Sequence, residues 1–185
     1  RGGVIMAPKG IDVRVENHLV RFISPTPVDQ DAVVAQLGGT ATGGVVIKVL
    51  DAPRATIVID ADGKIVVHGT QRVETARAAA KEFLLQMGLD DSGLTTELGP
   101  MVASFDFGET IAVESIIGDV GAGEAQYDAR LGCTIVVDSR HDITLNIWPN
   151  GRCIAIGAHS PNMVAMAAVY WKSQFAEKGY FIQRV

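Results

Sequence analysis

The strongest constraint on this chain is that it contains itself twice. Displacing the sequence by 88 positions lays Ala55–Gly69 (ATIVIDADGKIVVHG) on Ile143–Gly157 (ITLNIWPNGRCIAIG), so that Ile47 meets Ile135, Thr56 meets Thr144, Ile59 meets Ile147, Gly63 meets Gly151 and Gly69 meets Gly157. The register runs on without a gap through Ala79/Ala167, Ala80/Ala168 and Gln86/Gln174. Nearer the start the match continues at a displacement of 83, where Leu19–Phe22 (LVRF) falls on Val102–Phe105 (VASF), so the second copy carries about five extra residues within Gly118–Gly132. A period this long makes each copy a complete supersecondary unit, and the fold has to accommodate the same order of elements twice.

Each copy reads alike. An extended opening segment (Val13–Ile23 and Met101–Phe107) leads to a short helix, announced in the first copy by Thr26 as N-cap and Pro27 at the first helical position. Three or four strands follow, with hairpin turns at Asp62-Gly63 and Asn150-Gly151, dipeptides that tolerate the left-handed backbone of a tight turn. A long helix closes each copy. Val73, Ala76, Ala80, Phe83 and Met87 recur at helical spacing across Val73–Met87, and Val164, Ala168, Trp171 and Phe175 across Pro161–Ala176, where Ser160 is the cap and Pro161 the first-turn proline. The two repeats, 9–98 and 99–185, are joined by Leu89–Gly99. Their strands are expected to merge into one curved antiparallel sheet with the helices on one side, an α+β fold whose other sheet face is left to meet something.

Composition sets the limits on what that something is. With 48% hydrophobic and 20% charged residues among 185, the chain is too apolar to be disordered. A formal charge of −5 denies it the globally basic footprint of many nucleic-acid binders, so any such contact needs a local basic patch. Its apolar runs, Cys133–Val137 among them, fall far short of the ~20 residues that span a bilayer, and Arg1–Gly10 lacks a signal-peptide layout. A cytoplasmic protein is expected, with residues 1–8 a tag or disordered start and Met6 the natural beginning.

Catalytic and metal motifs are missing from the pattern. Cys133 and Cys153 make neither metal spacing nor a disulfide framework and read as free buried thiols. His18, His68, His141 and His159 include no helical i,i+4 pair, and Asp60 with His68 is the one acid–imidazole pair placed to share a hairpin face. Ser104, Ser115, Ser139, Ser160 and Ser173 sit in no nucleophile elbow, and Gly121-Ala122-Gly123 lacks the Gly-Lys-Ser/Thr of a phosphate loop. The reading is a binding protein without cofactor or metal, not an enzyme.

The residues that remain resemble the TATA-box-binding protein family of archaeal type, over roughly Ile11 to Phe181. The resemblance is carried by Val15-Glu16-Asn17, Pro53-Arg54, Asp62–Gly69, Glu74–Lys81 with its Ala76-Arg77, Met101–Ser104 and Asn150-Gly151-Arg152. It implies a saddle of two direct repeats forming one curved antiparallel sheet with helices on the convex face. The concave face would lie in the minor groove of A·T-rich duplex DNA, and a loop of the second repeat would meet transcription factor B.

Carried over position by position, the resemblance is uneven. Of two central asparagines that read base edges, Asn17 is present, whereas the second position holds Pro100, which donates nothing. Of four wedge positions, Asp60 and Gly43 supply no wedge, leaving Trp148 and Leu131. The groove floor becomes Val66 with His68 and Ile154 with Ile156, flanked by Leu19, Val58 and Val102. A phosphate-contacting arginine falls on Val49 and Val137, so Arg54, Lys64 and Arg152 are the cations left for phosphate. The loop for transcription factor B reads Tyr127-Asp128-Ala129-Arg130. The implied function is a DNA-binding initiation factor with weakened grip; the alternative is a divergent saddle turned over to a protein or other ligand, with DNA bending lost.

Overall fold

The computed structural model describes residues 4–6, 11–121 and 123–182 of the chain. It divides into two compact units: Asn17–Pro100, and a second that joins the residues up to Glu16 to those from Met101 onward. The boundaries differ from those of the sequence repeats because two 12-residue strands, β2 (Asp12–Ile23) and β7 (Thr95–Asp106), each run from one unit into the other. Along β2 the buried positions are Val13 and Val15, then His18, Val20 and Phe22. That one-residue change of phase lets a single strand turn a buried row toward two different cores.

In the Asn17–Pro100 unit, β3 (Thr40–Thr42), β4 (Val45–Asp51), β5 (Arg54–Ile59) and β6 (Ile65–His68) follow one another as an antiparallel meander, and β6 lies against β2, which neighbours β7. Two helices, α1 (Gln30–Leu37) and α2 (Val73–Gln86), cover one face, because Val33, Ala76, Ala80 and Phe83 form one buried cluster with Val20, Phe22, Val46, Ile57 and Ile59. Lys48 reaches from that face of β4 to donate to the carbonyl of Leu37 at 2.9 Å, satisfying an orphan acceptor at the C-terminus of α1.

The N-cap of α1 is Asp29, whose side chain accepts from Asp31 N, and not Thr26 as the Thr-Pro signal suggested. Val28 N donates to Gly63 O at 3.0 Å, so the backbone at Pro27 and Val28 is fastened to the β5–β6 turn before the helix begins. Gly63 has φ +78°, and a Cβ there would lie 2.6 Å from the Pro27 side chain. The turn therefore needs glycine for its backbone conformation and for its closeness to Pro27.

The second unit carries β8 (Gly118–Asp119), β9 (Gly123–Asp128), β10 (Cys133–Asp138), β11 (Ile143–Ile147) and β12 (Arg152–Ala158), with β12 paired to β7. The long helix α3 (Pro161–Glu177) starts where expected, Ser160 Oγ accepting from Met163 N at 3.3 Å. It buries Val164, Ala168, Trp171 and Phe175 against Phe105, Phe107, Leu145 and Ile147. Strand pairing repeats at the 88-residue displacement: Ile47 opposes Val58 as Ile135 opposes Asn146, and Thr56 opposes His68 as Thr144 opposes Ile156.

The second copy departs from the first in two places. Its short helix is reduced to a 3-10 turn at Val113–Ser115, because the residues before it are tied in extended conformation: Ile111 N donates to Pro149 O, Ala112 N to Tyr180 O, and Thr110 O accepts from Ile182 N. The extra residues lengthen the sheet edge, with six-residue β9 and two-residue β8 where the first copy has three-residue β3. Of the start expected to be a tag or disordered, Val4–Met6 form β1, paired with β2 at Val4/Arg14, Ile5/Val13 and Met6/Asp12; the rest lies outside the described residues. Among the described residues no helix is long and apolar enough to cross a membrane.

Candidate nucleic-acid interface

Alternation along each strand decides what the uncovered sheet faces carry. In the Asn17–Pro100 unit, Cα pairing sets Thr40 beside Ile47, Ile47 beside Val58, Val58 beside Val66, and Val66 beside Arg21. A second row runs Val49, Thr56, His68. Leu19 shares this face by alternation with Arg21 on β2. The middle of this surface, Ile47, Val58 and the buried Val66, is apolar, and Val49, standing where the family resemblance leads one to look for an arginine, is 60% exposed. Arg54, at the first residue of β5, and Lys64, just before β6, put cations at opposite ends of the hairpin. Arg21 is paired with Glu97 at 3.3 Å. Partial burial holds the pKa of His68 below the usual histidine value.

Two expected roles change once these side chains are placed. Asn17 Oδ1 accepts from Gly69 N at 3.0 Å, so half of its amide secures the turn after β6 and the Nδ2 half is left for a base edge. Asp60 is fastened to its own turn, Oδ1 accepting from Asp62 N and Lys64 N, each at 2.9 Å. His68, at the far end of β6 and opposite Thr56, is out of its reach. The acid–imidazole pair that does form is Asp138 with His141, their Oδ2 and Nδ1 2.7 Å apart in the core of the other unit. Sequence spacing pointed to a pair across a hairpin, whereas the real one is a local turn at the end of β10.

On the open face of the second unit the pairing gives one row of Gln126, Ile135, Asn146, Ile154 and Ser104, and another of Glu124, Val137, Thr144, Ile156 and Val102. Ile156 is 42% and Val137 54% exposed, large apolar side chains left uncovered in mid-sheet. Leu131 and Trp148 are brought together: the indole Nε1 donates to Leu131 O at 3.1 Å, joining the β9–β10 and β11–β12 turns. Trp148, Ser104, Ile154, Arg152 and Glu16 line an open hollow of about 410 Å³. At its edge Ser104 Oγ donates to Glu16 Oε2 at 2.6 Å, and Glu16 Oε1 lies 3.5 Å from Arg14 Nε. In the loop expected to meet transcription factor B, the Asp128 carboxylate accepts from Arg130 N and Leu131 N, so it serves its own turn, while Arg130 projects into solvent.

The residues missed from sequence at this face are Glu124, Gln126, Ile135, Thr144 and Asn146; the last three are the repeat mates of Ile47, Thr56 and Val58, a signal that could have found them. Both cysteines are free and buried. Burial and the nearby Asp106 push the Cys153 thiol well above the usual range, and burial with Asp128 raises Cys133.

A structural comparison settles the architecture, because Methanococcus jannaschii TBP superposes over 89% of this chain and 98% of its own with a TM-score of 0.77 at 17% identity. The fold is that of TBP. At that identity the likeness extends to the fold alone. A chain of heterotetrameric sarcosine oxidase from Corynebacterium sp. U-96 (TM-score 0.33, 12% identity, 98% of this chain and 91% of that one) and the regulatory subunit of aspartate kinase from Thermus flavus (TM-score 0.24, 12% identity, 90% and 99%) align too loosely to bear on it. No family model matches the sequence, and no curated protein does.

Proposed function

We propose that this chain is a TBP-like DNA-binding factor, not an enzyme, that lays its uncovered sheet faces along the minor groove of A·T-rich duplex and acts in transcription initiation. The observation that carries the reading is the apolar row on the helix-free face of each unit, Ile47 and Val58 beside the buried Val66, and Val137–Ile156–Val102 with Ile135 and Ile154, in a fold shared with TBP. Apolar side chains fit the floor of an A·T minor groove, which presents acceptors but no amino group. Arg54, Lys64 and Arg152 are the cations available to phosphate, so affinity is low and its salt dependence shallow, with a log–log slope of about −3 or less in magnitude. The exposed tip at Arg130 is where a protein partner such as transcription factor B would dock.

A second reading, a protein ligand on the same faces, is favoured by one observation: Glu16, Glu124 and Asp106 stand on the open side of the second unit, where a polyanion would be repelled. Fluorescence anisotropy across a salt series, on an A·T-rich and a scrambled duplex, separates the two. Weak A·T-preferring binding with little bending by end-labelled energy transfer, and loss of any kink in Trp148→Ala, supports the first. Absence of binding at low salt supports the second, and a tight, symmetrically bent complex would mean that the wedge positions are misassigned.

A further inference from the structure

The two open faces are not chemically equivalent, and at the middle of the sheet the difference is an apolar side chain in one and an amide in the other. The repeat mate of Val58, 88 positions further on, is Asn146. On β11 the buried positions are Ile143, Leu145 and Ile147, which sends Thr144 and Asn146 to the uncovered side. There Asn146 stands between Ile135 on β10 and Ile154 on β12. Its amide has no hydrogen-bond partner among the described residues, whereas Asn17 is half committed to Gly69. An unpartnered amide set between two isoleucines in mid-sheet contributes nothing to the sheet it sits on. It becomes useful when a hydrogen-bonding surface is pressed against it.

We infer that Asn146 makes the second unit's face accept a G·C pair where the equivalent Val58 face of the other unit tolerates A·T alone. The inference rests on the minor-groove reading above. In the minor groove a G·C pair differs from an A·T pair by the guanine 2-amino group, a donor projecting into the groove. Against Ile47, Val58 and Val66 that donor is buried without an acceptor. Against Asn146 it meets Oδ1, while Nδ2 remains to donate to a base acceptor beside it. The result is a recognition surface with direction: one stretch of the site restricted to A·T, another indifferent to or favouring a G·C pair.

The test is a panel of A·T-rich duplexes in which single A·T pairs are replaced by G·C or by I·C, inosine lacking the 2-amino group. Wild-type protein is expected to bind G·C and I·C duplexes equally within one short stretch of positions and to discriminate against G·C elsewhere. Asn146→Leu is expected to weaken binding to the G·C duplexes of that stretch about tenfold more than to the matching I·C duplexes, the usual cost of one poorly matched pair. Val58→Asn, on the other unit, is expected to create tolerance of G·C at new positions. If Asn146→Leu and wild type treat G·C and I·C alike at every position while both still bind A·T-rich duplex, this inference falls and the DNA reading stands. If wild-type protein binds no duplex at low salt, both fall.

Discussion

The indole Nε1 of Trp171 donates to Asp138 Oδ2 at 2.6 Å within the core of the unit that runs on from Met101. The same oxygen lies 2.7 Å from His141 Nδ1, and Asp138 Oδ1 accepts from His141 N at 2.9 Å. Asp138 is 1% exposed, so these neighbours are what make a buried carboxylate tolerable. Removing the indole donor while keeping an aromatic ring, in Trp171→Phe, is expected to cost about 1–3 kcal/mol. Trp171→Ala, which also empties the space beneath Tyr170 and Phe175, is expected to cost about 3–5 kcal/mol. Urea denaturation measures both; a loss below ~0.5 kcal/mol for Trp171→Ala would contradict the packing.

Helix α2 offers a matched contrast. Phe83 is fully buried and Leu85, two residues on, is 72% exposed. Phe83→Ala is expected to destabilise by about 3–5 kcal/mol. Leu85→Ser on the same helix is expected to stay within ~0.5 kcal/mol. Equal losses for the two would mean that the helix presents a different face to the sheet.

His68 gives a pH dependence whose sign follows from its depressed pKa. In the unfolded chain the imidazole takes up its proton around the ordinary 6.5, while in the folded chain partial burial delays it to lower pH. Stability is therefore fully present above the unfolded value and declines as pH falls from there through the lower, folded one. His68→Gln is expected to flatten that part of the profile, measured by denaturant midpoint against pH. The effect is small because the ring is partly exposed.

Both thiols are held protonated and out of contact with solvent, so neither is a ready nucleophile. Native protein is expected to react with a maleimide or iodoacetamide far more slowly than the denatured chain, with Cys153, in the core beside Gly151 O, slower than Cys133. Mass spectrometry of timed alkylation reads this directly; rapid labelling of native protein would show that the β10 or β12 strand opens.

What could be read from the sequence was whatever depended on period and turn chemistry. The 88-residue displacement, the turns at Gly63 and Gly151, and the helices beginning at Val73 and Pro161 each come from residues close in sequence or identical between copies. The cap of α1 was misread because Pro27 is claimed by a tertiary contact with Gly63 that no local signal announces. The helix of the second copy was lost to backbone bonds between Ile111 and Ala112 and residues about forty to seventy positions away. At the candidate interface, Asn146 stayed hidden because its meaning depends on cross-strand neighbours, and Asp60 was overread because its carboxylate is spent on its own turn.

The division of β2 and β7 between the two units bears on how the chain is made. Ile11, Val13 and Val15 belong to the same buried cluster as Trp171 and Phe175, residues synthesised near the opposite end of the polypeptide. As the chain leaves the ribosome, the Asn17–Pro100 segment has its own core in hand early, whereas these three side chains stay wet until α3 has emerged. A gene fragment cut at the repeat boundary would strand them permanently, and its counterpart beginning at residue 99 would lack three side chains of its own core.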